Sequence, residues 1–187
     1  TIVFGVNQDK LHASHTVISN ASCTTNCIVP VLHFLDRAFG LAYGTITTVH
    51  SAMNDQPVID SYHRTNLRLT RSAMHSIIPV DTGLSRGLER IVPSWQGKFE
   101  CLHLRVPTIN VSLMDLNVIV SNKTDMEEVN RLFAKVSKDE LKGLLQYTTE
   151  PHASIDFNSD IHSCIVDGTQ TRVSNGKLVK MICWFDN

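Results

Sequence analysis

The second half of the chain carries one strand signal after another. Residues 99–106 and 111–120 read as strands, and the second is rich in Val, Leu and Ile. Further strands are expected near 145–149 and 163–174. "SNGKL" then reads as a tight turn that folds 170–174 back onto 178–185 as a hairpin. One helix interrupts this series, "TDMEEVNRLFAKV", with Met126, Val129, Phe133 and Val136 on one face and Thr124 with Glu127 as a capping box. Strands that cluster late, without strict alternation with helices, constrain the fold to α+β. The expected architecture is a mostly antiparallel mixed sheet with helices packed on one face.

The first half adds the remaining elements. "TIVFGVN", residues 1–7, reads as a short strand. A helix is expected over 22–39, capped by Ser22 or Asn20, with Ile28, Leu32, Leu35 and Phe39 as its apolar stripe, a kink at Pro30 and a stop at Gly40. "TITTV", 45–49, is a strand that ends on His50, and 54–76 reads as a long ordered loop of the kind that often carries function. "DTGLSRGLERIVP" reads as a short helix capped by Thr82 and ending before Pro93.

With 187 residues the chain can bury a substantial core, and its net charge of -1 gives no electrostatic case for nucleic acid or an anionic membrane. No apolar run reaches the roughly 20 residues that span a bilayer. Five cysteines without secretory features read as reduced thiols in a cytoplasmic protein.

Cys23 stands between Ser22 and Thr24 at the start of the first expected helix. Unpaired backbone N–H groups and the positive end of the helix dipole should favour its thiolate there. The two hydroxyls could hold an anion or a developing oxyanion. A free cysteine is also often just a small buried residue, and that reading stays open. Cys27, one turn on, is expected to pack in the interior, and no second cysteine pair at ligand spacing supports zinc. A reactive thiol needs a base, and nine histidines compete for the role. His50 stands apart because it leaves an apolar strand and enters the polar stretch "HSAMNDQ".

"SNASCTTNC", "HSAMNDQPVIDSYH", "SIIPVDTG", "LRVPTINVSLMDL" and "WFDN" together resemble, in order along the chain, the catalytic half of the glyceraldehyde-3-phosphate dehydrogenase family. The resemblance implies Cys23 as nucleophile and His50 as the residue that activates it. It implies Ser22, Thr24, Thr82 and Gly83 as anion- and substrate-binding positions, Arg105 as the holder of a substrate phosphate, and Asn187 as a contact of the nicotinamide amide. It further implies NAD as cofactor, a phosphorylated aldehyde as substrate and a homotetramer in which the 54–76 loop and the sheet make subunit contacts. Residues 1–21 resemble the tail of a preceding nucleotide-binding domain, and 22–187 the catalytic domain without the family's C-terminal helix. No G-x-G-x-x-G follows a strand, so NAD is expected to be held mainly by another domain.

Two positions depart from the family pattern. Leu69 in "LRLTR" stands where a second consecutive arginine is common, with Arg68 or Arg71 as substitutes, and Met53 replaces a threonine of a phosphate site. Met53, with "PVDTGL" and "IVDGTQTRVS", favours the branch of the family that acts on a tetrose phosphate over a triose phosphate. A phosphorylating triose enzyme, a Cys–His hydrolase without a redox cofactor and a noncatalytic assembly domain are the alternatives.

Overall fold

A computed structural model describes residues 1–187. Its elements in chain order are α1 (Cys23–Phe39), β1 (Leu41–His50), β2 (Ile78–Val80), α2 (Leu84–Ile91), β3 (Phe99–Arg105), β4 (Ser112–Val120), α3 (Met126–Val136), β5 (Leu145–Thr148), β6 (Cys164–Ser174) and β7 (Leu178–Phe185). The seven strands form one mixed sheet in the order β2-β3-β1-β4-β7-β6-β5. Only β1 with β3 and β5 with β6 run parallel; the other neighbours are antiparallel. The α+β expectation therefore holds.

Pleating explains which side is covered. On β4, Ser112, Met114, Leu116, Val118 and Val120 are buried, while the residues between them are partly exposed. β7 repeats the pattern with Val179, Met181, Cys183 and Phe185. These side chains share one core with Ile28, Leu32 and Leu35 of α1, Leu88 of α2 and Phe133 of α3, so all three helices serve a single face. The β6–β7 hairpin turns through Asn175 (φ 53°) and Gly176 (φ 65°). Two successive left-handed residues are what a two-residue hairpin turn demands, and Asn-Gly supplies them at little strain.

α1 begins where Ser22 takes extended backbone angles and its Oγ accepts from the Thr25 N–H at 3.2 Å. Of the two candidate caps, Ser22 is the one used. The helix runs through Pro30 and ends at Gly40 (φ 69°). Three local expectations need correction. Residues 1–7 form no strand: the chain turns, with Asn7 N–H donating to Val3 O, and the Asn7 side chain accepts the Val3 N–H at 2.7 Å. A side chain that satisfies the backbone locally removes the need for a sheet partner. α2 starts one residue later than a Thr82 cap requires; Gly83 takes the cap position and Thr82 Oγ1 accepts from the Leu84 N–H. The cap of α3 is Asp125, which accepts from Glu128 N–H at 2.8 Å, while Thr124 donates to the Glu128 carboxylate. Asp is a somewhat better cap than Thr, and here Asp125 takes the helix start, so Glu128 replaces Glu127 as the third residue.

The arrangement that positions the site is the parallel pair β1/β3. Parallel neighbours end at the same edge of a sheet, and the register pairs His50 directly with Arg105. Both strand ends meet the N-terminus of α1 there, across the cleft described next.

Candidate active site

Cys23 occupies the first position of α1, half-buried, with Sγ 3.8 Å from His50 Nε2. Ser22 Oγ joins Thr24 Oγ1 at 2.9 Å and Thr25 Oγ1 at 2.7 Å, which gathers three hydroxyls at the start of α1. His50 is the last residue of β1 and only 1% exposed. Its Nδ1 lies 2.9 Å from Ser51 O and 2.8 Å from Arg105 Nη1. When Nδ1–H donates to Ser51 O, Nε2 is free to accept a proton from Cys23. That tautomer gives the pair its chemistry.

Arg105 is held on every side. Its side chain is 3% exposed; Nη1 donates to Ser51 O at 3.1 Å, and Nη2 reaches both carboxylate oxygens of Asp55 at 3.1 and 3.0 Å. Its buried Nε has no partner. The guanidinium expected to face a substrate phosphate thus spends its terminal nitrogens on Ser51 and Asp55, with the His50 ring beside it. Asp55, 58% exposed on its side chain, is the one of these partners open to solvent.

Electrostatics overturn one expectation. Burial pushes the Cys23 thiol above its ordinary pKa and outweighs the N–H groups of Thr24 and Cys23 and the Arg105 charge, which all pull it down. The resting group is a thiol, not the thiolate that the helix start alone favours. Burial also pushes His50 down; the Ser51 carbonyl draws it up and Arg105 pushes it further down. A neutral thiol beside a neutral imidazole is a pair ready to move one proton between them. Cys27 lies fully in the core, as expected, and burial raises its pKa.

Ser22, Cys23, Thr24, His50, Thr82, Gly83 and Arg105 line one cleft of about 480 Å³. A volume of that size suits a small phosphorylated metabolite. Asn187 is exposed beyond the end of β7, and the structure does not bring it to this cleft. Met53 does line it. Arg71 is paired with Asp60 at 2.8 Å, and Arg68 lies with Leu69 in an adjoining hollow that shares Asp55 and Asp81 with the cleft. Neither arginine reaches the cleft itself. Sequence reasoning missed Asp55 and His103, which also line it. The signal for His103 was present: it precedes Arg105 by two residues on a strand and therefore shares its face.

Cys23 opens on its other side onto a second hollow of about 460 Å³, flanked by Phe4, Ala21 and Leu144 with Asn20, Ser163 and Asp186. Apolar walls with amide and hydroxyl groups beside the thiol fit a nicotinamide ring. The chain offers no glycine-rich turn between strand and helix for a pyrophosphate, so the fit extends to that end of the dinucleotide alone.

The family model for glyceraldehyde 3-phosphate dehydrogenase, C-terminal domain, matches residues 22–187. The chain belongs to this family, and the membership supports an oxidoreductase role in the dehydrogenation of a phosphorylated aldehyde. No helix is long and apolar enough to cross a membrane.

Proposed function

We propose that this chain is the catalytic domain of a D-erythrose-4-phosphate dehydrogenase, which oxidises D-erythrose 4-phosphate to 4-phosphoerythronate with NAD through a cysteine thioester. The observation that carries the reading is the 3.8 Å approach of Cys23 Sγ to His50 Nε2 within a cleft lined by hydroxyls and a helix start. Met53 in that cleft, where a hydroxyl would serve a phosphate, supports the tetrose substrate over the triose. The family resemblance supports a role in pyridoxine biosynthesis in the cytoplasm.

The chain's own residues act as follows. Cys23 Sγ bonds to the aldehyde carbon while its proton passes to His50 Nε2, and His50 returns that proton to the aldehyde oxygen as a thiohemiacetal forms. The hydroxyls of Ser22 and Thr24 and the amides at the start of α1 face the developing oxyanion. Thr82, Gly83 and Arg105 hold the substrate phosphate, which competes with Asp55 for the Arg105 guanidinium. A bound NAD supplies hydride acceptance, the chemistry that raises the carbon on Cys23 to the acyl level. Phe4, Ala21 and Leu144 would hold its nicotinamide end, and the family resemblance gives Asn187 as the contact of its amide. As hydride leaves the carbon, the hydroxyl proton of the thiohemiacetal passes to His50 Nε2 and on to solvent. His50 then takes a proton from water, whose oxygen displaces Cys23 from the thioester, and returns it to the departing Cys23 sulfur. The acid product ionises to a carboxylate.

The NAD-binding domain lies outside residues 22–187, with 1–21 as its tail. The exposed Val58, Ile59, Tyr62 and Leu67 of the long loop support a homotetramer built across that loop. A second reading, a phosphorylating glyceraldehyde-3-phosphate dehydrogenase, draws support from the Ser22–Thr24–Thr25 hydroxyl cluster opposite α2, an arrangement able to seat inorganic phosphate.

The test assays the full-length protein with NAD and either aldehyde, with and without phosphate. Phosphate-independent NADH formation faster with erythrose 4-phosphate is the expected result, and Cys23→Ser should abolish it. A strict phosphate requirement with glyceraldehyde 3-phosphate moves the assignment to the second reading. Full turnover in the serine variant removes Cys23 as nucleophile.

A further inference from the structure

One imidazole in the cleft has no part in the chemistry above. His103 lies on β3, and the parallel register sets it beside Thr48 while Arg105 sits beside His50. Pleat alternation turns all four side chains to the same face. The rings of His103 and His50 stack with centroids 5.1 Å and planes 20° apart, and Phe185 meets His50 edge-on at 5.9 Å. His103 Nε2 is buried and has no hydrogen-bond partner, so His103 acts on its neighbour through its ring and not through that nitrogen.

The charged and titratable groups of the cleft around this pair come from several elements, among them Arg90 of α2. Cys23 approaches from α1, Arg105 from β3, Asp55 from the loop after β1, and Asp81 lines the same cleft ahead of α2. Arg105 is a permanent cation within 2.8 Å of His50 Nδ1. A second cation stacked on His50 would oppose its protonation further. His103 does not become one near neutral pH, because burial, His50 and Arg105 push it down to about 4. It presents a neutral aromatic face instead, which stays attractive when His50 gains the Cys23 proton and turns cationic.

Resting on the thiol–imidazole reading proposed above, we propose that His103 is a positioning residue: its stacked ring fixes the plane of the His50 imidazole so that Nε2 points at Cys23 Sγ, and shields that imidazole from water. A ring free to swing about its side-chain torsions would hold this alignment for only part of the time, and misplacement of a reacting group by an ångström is costly in rate. The Ser51 carbonyl fixes Nδ1, but one hydrogen bond leaves the ring able to pivot about it. The stacked face removes that freedom.

The experiment compares His103→Ala and His103→Phe with wild type in the full-length protein. It follows iodoacetamide alkylation of Cys23 against pH, together with kcat and KM. In His103→Ala, water reaches His50 and relieves the burial that lowers its pKa. The imidazolium then persists to higher pH, so the acid limb of the alkylation profile moves up. The plateau rate and kcat should fall on the order of tenfold, with KM changed less than about twofold. His103→Phe keeps an aromatic face and should restore both the limb and the plateau. If His103→Ala does not fold, His103→Leu replaces it, and a reduced plateau rate is the readout. An unmoved profile in the alanine variant, or a phenylalanine variant no better than alanine or leucine, overturns the proposal. Wild-type Cys23 that labels no faster than Cys101 points elsewhere: it undermines the activated thiol itself.

Discussion

Arg105→Met should shift the whole pH profile of Cys23 reactivity upward, because one guanidinium holds down two pKa values. Arg105 lowers both the Cys23 thiol and the His50 imidazole. Without it, His50 stays protonated to higher pH, so the base is lost sooner on acidification. Cys23 also ionises later, so the alkaline rise of labelling moves the same way. The structural cost follows from the groups that the guanidinium no longer bonds: Ser51 O and both oxygens of Asp55. Breaking a fully buried pair costs about 3–5 kcal/mol. Asp55 is 58% exposed and regains water, so that figure is discounted for solvent screening. What remains is nearer one charge-assisted hydrogen bond, about 1.5–3 kcal/mol. Methionine refills much of the volume of the aliphatic stem. For a chain of this size the melting temperature should fall by roughly 3–12 °C. Iodoacetamide labelling across pH, read by mass spectrometry, and calorimetry measure the two effects. Arg105→Lys keeps the charge without the fork and should recover most of the profile but less of the stability. A profile that stays in place, or moves to lower pH, refutes the electrostatic link between β3 and the thiol.

Two further outcomes test separate parts of the structure. Ser22→Ala removes the hydroxyl that caps α1 and should cost about 1 kcal/mol, a fall of roughly 2–4 °C by calorimetry; an unchanged melting temperature would show that Thr24 or Thr25 takes over the cap. Cys101 is pushed up to about 12 by burial and by Glu100, so only about one molecule in ten thousand carries its thiolate at pH 8, and peptide mapping should find Cys101 unlabelled after Cys23 has reacted fully.

The elements most legible in the sequence are those fixed by neighbours a few residues apart. "SNGKL" specified a hairpin because only certain residues accept two left-handed positions in succession, and Asn175 and Gly176 occupy both. The apolar spacing of Ile28, Leu32 and Leu35 gave α1 to within a residue. The caps of α2 and α3 were misplaced by one position because Thr82–Gly83 and Thr124–Asp125 each offer two adjacent starts. Residues 1–7 have strand composition, yet the Asn7 side chain satisfies the backbone there, and strand composition does not register that competitor.

Cys23 and His50 were legible for a similar reason: each has a local setting, a helix start and a strand end, that marks it. The partnership of His50 with Arg105 and His103 was not. It depends on the parallel crossover that lays β3 beside β1, with α2 and the long loop between them in sequence. Periodicity states which residues share a face of one strand but not which strand lies next to it.

By itself the sequence determined the α+β class, the three helices and most of the strands, and a cysteine with a histidine as the groups to watch; it missed β2 and the first four residues of β1. The tertiary structure decided the protonation state and the company they keep. Burial reversed the expectation of a resting thiolate, and the fold gave Arg105 a carboxylate partner, Asp55, that the sequence did not reveal. Desolvation and long-range register are properties of the packed molecule: they depend on how much protein surrounds a group and which strands adjoin, and neither quantity exists until the chain has folded.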